Sequence, residues 1–256
     1  MGAAATIGRL RHVTYGIYAW IALLLAFIPA LLLLVVTPGR PTRRRVTRWF
    51  SRLFFFLIGS PVRSMGSELP DGACVVVANH ASYLDGIILT AALPARFTFV
   101  IKEEMARFPF AGYLLRRIGS EFVNRQNSGQ RQQATRRLFK AAREGDALAF
   151  FPEGTFDDKP GLRRFQPGAF GAAWRAKIPV VPVVIYGARA KLPAHEWLPA
   201  PGPLGISIGE PIHPDAFDSA RSVMLASRAS LLAILDEPDL AARDISADSQ
   251  QPADDL

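Results

Sequence analysis

ACVVVANHASYLDGIILTAAL, residues 73–93, is the stretch on which the fold turns. Ala73 to Ala78 is a short run of small and β-branched apolar residues, as found in strands buried on both faces. Residues 83–93 suit a helix, and Asn79 and His80 stand between the two. The alternation continues along the chain. Strand-like runs fall at 73–78, 97–101, 121–124, 147–151 and 180–186, and helix-compatible segments at 83–93, 104–117, 129–144 and 168–177. In the third of these segments Ala134, Leu138, Phe139 and Ala142 keep helical spacing, and Gly145 suits a C-cap. Strands alternating with helices predict an α/β fold, a mostly parallel sheet with helices on both faces. Ligands of such sheets sit at the C-terminal ends of the strands. Three polar clusters fall there: Asn79-His80, Asn124-Arg125 and Pro152-Glu153-Gly154-Thr155.

Before this body lies a different kind of sequence. Val13 to Thr37 carries no charge. As a helix it would be about 37 Å long, enough for a hydrocarbon core of about 30 Å. Tyr15, Tyr18 and Trp20 are placed for an interfacial belt, and Pro29 for a kink. A cleaved signal peptide fits less well, because PGRPTRRR follows where a small-residue cleavage site would be. A second apolar run, Leu53 to Ile58, comes after Pro38, Gly39 and Pro41, so residues 1–60 are expected to fold as a membrane-associated helical hairpin.

The formal charge is +8, yet residues 1–67 alone hold nine Arg and no Lys, Asp or Glu, which leaves the rest at −1. Basicity confined to the flanks of apolar sequence argues against nucleic acid and for an anionic membrane surface. Six Arg between 40 and 52, against Arg9 and Arg11, place the body on the cytoplasmic face. Cys74 is the single cysteine, so neither an intrachain disulfide nor a cysteine metal cluster is expected, and its apolar neighbours suggest a buried packing role. No metal-ligand set or nucleotide-type glycine loop is evident. Residues 236–256, acidic and aperiodic, are expected to form a disordered or loosely attached tail.

His80 and Asp85, five residues apart, gain meaning from context. On an ideal helix they would point about 140° apart. They meet only if His80 lies at the strand-to-helix turn and Asp85 in the first turns. Context leaves open a catalytic pair or a histidine that caps the helix. His213 and Asp218 repeat the spacing in HPDAFD, and there a surface turn with Asp215 as a cap is the plainer reading.

The ordered set Asn79-His80-x4-Asp85, Gly119-x2-Phe122-Val123-x-Arg125, Phe151-Pro152-Glu153-Gly154-Thr155 and Val181-Pro182-Val183 resembles the four blocks of the PlsC-type glycerolipid acyltransferases, the 1-acylglycerol-3-phosphate acyltransferase family. Lys102-Glu103-Glu104 with Pro109 and Gly112 resembles the approach to the second block. One departure stands out: where many members place Arg or Ser after Glu-Gly-Thr, this chain has Phe156, and Arg163, Arg164 and Phe165 are the candidates to supply what that Arg otherwise would.

The resemblance implies a catalytic domain over 61–235, seated on the membrane by the N-terminal helices. It implies transfer of a fatty acyl group from acyl-CoA or acyl carrier protein to the free hydroxyl of a lysophospholipid, 1-acyl-sn-glycerol 3-phosphate giving phosphatidic acid, with no cofactor. His80 would be the general base and Asp85 its orienter, an imidazole with a reference pKa near 6.5 suiting proton removal at neutral pH. Arg125 would offer a fork for the acceptor's phosphate, Glu153 a bond to a glycerol hydroxyl, Gly154 and Thr155 a close backbone approach, and Lys102 a further substrate contact. Oxyanion donors are expected among the amides after His80 or near Gly154-Thr155. Acylation of another lysolipid, a transacylase and a non-catalytic lipid-binding protein remain as rivals.

Overall fold

The computed structural model describes residues 3–123, 139–140 and 146–241. Its centre is a seven-stranded sheet built from β1 (Val62–Gly66), β2 (Val75–Ala78), β3 (Phe97–Lys102), β4 (Glu121–Val123), β5 (Ala147–Phe150), β6 (Val180–Tyr186) and β7 (Leu204–Ile208), in the order β1-β7-β6-β2-β5-β3-β4. All neighbouring pairs are parallel except β6 with β7. This is the mostly parallel sheet that the alternation predicts. Two strands, β1 and β7, have no counterpart in that reading.

Both faces are covered, because β2 is apolar at every position. Cys74, Val76 and Ala78 point into one core, shared with Phe54, Phe55, Ile88 and Leu89. Val75 and Val77 point into the other, shared with Phe170, Ala173, Val223 and Leu231. The first face belongs to α2 (Arg40–Leu57) and α3 (Asp85–Ala92). The second belongs to α5 (Gly168–Ala176) and α7 (Ala220–Ile234). Burial pushes the Cys74 thiol up to about 11, which fits an inert packing group. The segment expected as one helix over 104–117 divides into a 3₁₀ turn, Glu103–Arg107, and α4, Pro109–Arg117. Pro109 forces the division: Phe108 before it is extended, at φ −70° and ψ 122°, as sterics against the proline ring require. The helix expected over 129–144 lies outside the described residues apart from Phe139 and Lys140, which are helical.

The N-terminus is a helical hairpin. α1 (Ala3–Val36) continues as one helix through Pro29 and is long and apolar enough to cross a membrane. Gly39, at φ 72°, turns the chain into α2. Ala19, Ala22, Ala26, Ala30 and Leu34 form a stripe of buried, mostly small side chains that lets α1 pack closely on the protein, while Leu24, Leu25, Ile28 and Leu32 on the outer face are exposed. The polar tips of the expected aromatic belt turn inward. Tyr15 and Tyr18 donate to the carbonyls of Ile58 and Leu57, and Trp20 to that of Trp197. The Arg cluster is likewise divided. Arg44 reaches Ile118 O, Arg96 O and Thr98, while Arg48 and Arg52 donate to Ala92 O and Ala91 O at the end of α3. Arg9, Arg11, Arg40 and Arg45 remain exposed.

Between β6 and β7 the short helix α6 (Ala188–Lys191) ends on a lysine that is 1% exposed. Lys191 Nζ donates to Tyr15 OH at 3.0 Å, Ser60 Oγ at 2.8 Å and Ala200 O at 3.0 Å, tying α1 to the sheet. We expect Lys191→Met to lower stability by about 1–3 kcal/mol, since three buried oxygens lose their donor. Thermal unfolding of the two proteins in the same detergent reads the loss.

The first residues of the tail expected to be disordered or loosely attached from residue 236 make defined contacts. Glu237 accepts from Nε and Nη2 of Arg189, at 2.9 and 3.0 Å, and from the amide of Gly161 at 2.7 Å. Asp239 pairs with Arg228, which is 4% exposed, and bridges in parallel to Leu162. Such partners, distant in sequence, leave no periodic trace. Residues 242–256 lie outside the described residues.

Candidate active site

The site forms where β2 and β5 run side by side and end together. Val77 is in register with Phe150, so His80 and Glu153 each stand three residues beyond the same rung. Asn79 holds the start of the turn: its side chain accepts from Ile185 N at 2.7 Å and donates to Ile185 O at 3.1 Å, extending the ladder toward β6 after β2 stops. Ser82 holds its end, donating to Leu192 O at 2.8 Å and accepting from Leu84 N at 3.2 Å. The motif pattern contained Asn79 but gave it no partner, and drew no attention to Ser82. For Ser82 the available signal was its hydroxyl two residues before the amide of Leu84, a local turn motif.

His80 and Asp85 meet. Nδ1 of His80 donates to Oδ2 of Asp85 at 2.8 Å, and the amides of Ala81 and Ser82 donate to the same oxygen at 2.6 and 2.9 Å. Asp85 is fully buried at the first position of α3, where its charge also suits the helix N-terminus. The N-cap of α3 is Leu84, without a side-chain cap, so His80 does not serve as one. With Nδ1 committed, the free ring nitrogen of His80 is Nε2. The ring is 19% exposed and lies stacked on Phe151, centroids 4.3 Å apart.

Glu153, expected to meet a glycerol hydroxyl, is tied to the backbone of its own site. It is 5% exposed, and both oxygens are taken by backbone: Oε1 by His80 N at 2.7 Å and Oε2 by Arg163 N at 2.8 Å. Burial pushes its carboxyl up to about 7, although those two amides and Arg228 pull the other way. Gly154, at φ 78°, closes a tight turn by donating to Phe151 O. The expected oxyanion amides are accordingly reduced. Ala81, Ser82, Leu84 and Gly154 are committed, and among the described residues those of Tyr83 and Thr155 carry no such bond.

Thr155 is exposed at the mouth of a cavity of about 470 Å³ that opens beside His80. Leu23, Phe27 and Ala30 of α1, Phe54 of α2, Ile87 of α3 and Leu114 of α4 help to wall it. Lys102 reaches its edge, half-exposed and paired with Glu104 at 3.2 Å. Of the residues expected to replace the family's Arg, Arg163 is engaged with Asp157, Arg164 is exposed, and Phe165 is buried on Phe170 under Arg228. Arg125 lies outside the described residues. His213 is exposed beside the 3₁₀ turn Pro214–Ala216, where Asp215 pairs with Lys177 and caps nothing.

The acyltransferase family model matches residues 62–186, which include the whole constellation. The chain is 35% identical over 153 residues to the lyso-ornithine lipid O-acyltransferase of Pseudomonas aeruginosa, covering 60% of this chain and 58% of that one. It is 31% identical over 172 residues to human 1-acyl-sn-glycerol-3-phosphate acyltransferase beta, covering 66% and 62%. The chain thus spans less than two thirds of either relative's length. The crystal structure of the 1-acyl-sn-glycerophosphate acyltransferase PlsC from Thermotoga maritima shares its fold, with a TM-score of 0.71 over 88% of this chain and 97% of that one, at 24% identity. Residues 62–186 are an acyltransferase-family domain. Over that segment the chain is similar to the PlsC-type glycerolipid acyltransferases.

Proposed function

We propose that this chain transfers a fatty acyl group from a thioester, acyl-CoA or acyl carrier protein, to the free hydroxyl of a lysolipid. The observation that carries the reading is an imidazole fixed through Nδ1 by a buried carboxylate at the mouth of a large apolar cavity. Nε2 of His80 takes the hydroxyl proton as the oxygen attacks the thioester carbonyl, and Asp85 stabilises the imidazolium. The tetrahedral intermediate collapses, the C–S bond breaks, and the imidazolium returns the proton to the leaving sulfur. The amides of Thr155 and Tyr83 are the candidates for the oxyanion, and the acyl chain occupies the cavity. Beyond the thioester this chemistry needs no cofactor.

The acceptor we assign is 1-acyl-sn-glycerol 3-phosphate, the substrate in the name of the human relative, with Arg125 and Lys102 toward its phosphate. One observation favours a second acceptor, an amino-acid-headed lysolipid. Position 156 carries no charge, the basic groups Arg163, Arg189 and Lys102 are already paired with Asp157, Glu237 and Glu104, and the Pseudomonas relative is named for lyso-ornithine lipid. A lysolipid panel with labelled acyl-CoA, read by mass spectrometry, decides. Labelled phosphatidic acid is the expected product. Labelled diacyl amino-acid lipid in its place selects the second acceptor, acylation that persists, unlabelled, when the thioester is omitted identifies a transacylase, and no product with any acceptor removes the reading.

The membrane reading follows from how α1 is held. His12 meets Leu198 O near one end, and Arg117 donates to Leu34 O and Val35 O at the other. Those points are about 34 Å apart along the helix, longer than the hydrocarbon core. An upright α1 would carry the body into the bilayer. α1 therefore lies along the membrane plane with Leu24, Leu25, Ile28 and Leu32 in lipid, and exposed Arg9, Arg11, Arg40 and Arg45 meet the anionic cytoplasmic leaflet.

A further inference from the structure

We infer that Phe156, braced by Tyr83, shields the His80 imidazole from water, so that the site deprotonates a lipid hydroxyl and not a water molecule. This rests on the acyltransferase reading above and adds a selection within it. A thioester poised beside a general base can be attacked by either nucleophile. Water attack at the same carbonyl would break the same C–S bond, pass its proton through His80 to the leaving sulfur and release a free fatty acid. An acyltransferase at a membrane surface therefore has to keep bulk water from the base while a buried chain waits for an acceptor.

The rings around His80 are arranged for this. Phe151 covers one face of the imidazole at 4.3 Å with planes 17° apart. Phe156 leans over it from another side, centroids 4.5 Å apart at 57°. Tyr83 then meets Phe156 edge-on, at 4.8 Å and 81°. Tyr83 itself is 67% exposed and Phe156 half-buried, so the outermost ring faces solvent and the one beneath it covers the base. The loop that carries Phe156 is pinned just beyond it. Asp157 pairs with Arg163 and holds Lys159 N, its carbonyl accepts from Arg189 at 2.8 Å, and Asp158 pairs with His195. The backbone beside the phenyl ring is thus held, at the position where the family resemblance implies Arg or Ser. A hydrocarbon tail can displace or slide past such a ring without losing hydrogen bonds, whereas a water molecule there would lose them.

The test uses the full chain in detergent or in vesicles, with labelled acyl-CoA and the acceptor identified by the panel. Free fatty acid and acylated lipid are counted in the same reaction. In Phe156→Ala we expect the ratio of hydrolysis to transfer to rise about tenfold, and in Tyr83→Ala, which leaves the protein interior intact, to rise less. Phe156→Leu, which restores apolar bulk, should stay near the parent ratio. A ratio unchanged in both alanine variants overturns the inference and leaves the acyltransferase reading standing. A parent protein that transfers to no acceptor overturns that reading itself.

Discussion

His80→Ala should lower the rate of acyl transfer by about 10²- to 10⁴-fold, the range a positioned general base contributes. The fold should survive, because the ring makes one side-chain hydrogen bond and its amide, which holds Glu153, is kept. Near-parent activity in a folded His80→Ala protein would remove the imidazole from the chemistry. His213→Ala is the matched control, since His213 shares the five-residue spacing to an aspartate but sits exposed on another turn. Its activity should equal the parent's.

Glu153→Gln should show the second large effect, and in two measurements. A glutamine offers one acceptor oxygen to two backbone amides, so one of the His80 and Arg163 N–H groups loses its partner, at a cost of about 1–3 kcal/mol. Because the amide that is disturbed belongs to His80, kcat should fall by about 10²-fold, as misplacement of about 1 Å can do, with KM for both substrates little changed. A glutamate that touched the acceptor would instead raise the acceptor's KM. The second measurement is the pH dependence of unfolding. Burial raises the Glu153 carboxyl from its ordinary value of 4.5 to about 7, so the folded protein holds that proton more tightly than the unfolded chain. The stability due to this group is complete below pH about 4.5 and declines as pH rises through about 7. Denaturant titrations at pH 5 and pH 8 should show this decline in the parent and lose it in Glu153→Gln. An identical decline in both proteins would assign it to other groups.

Local pattern was enough for the central strands and for the pair at the heart of the site. Val75 to Ala78 can be buried on both faces only as a strand between neighbours, and a five-residue spacing across a strand end leaves His80 and Asp85 one way to meet. β1 escaped because VRSMG is largely exposed and polar, and it is a strand only through its register with β7. Pairing of that kind is a property of two distant segments. The same reason hid Lys191 beneath Tyr15 and Arg228 beside Leu162, since their burial depends on partners 176 and 66 residues away. Glu153 was found by its motif, but its backbone partners were not. The sequence could not show that the amide of His80, brought alongside by the β2–β5 register, would take its oxygen first.

The helix that begins at Asp85 ends against Arg48 and Arg52, whose guanidinium groups sit on its last carbonyls. The hairpin is therefore a mechanical part of the candidate site. A truncated protein trimmed for solubility at residue 60 would strip two cations from the far end of that helix, where they complement its dipole. It would also open the chamber to solvent on the side that α1 and α2 close. Anyone wishing to crystallise or engineer a water-soluble version would do better to recolour the outward leucines of the first helix than to cut the helix away.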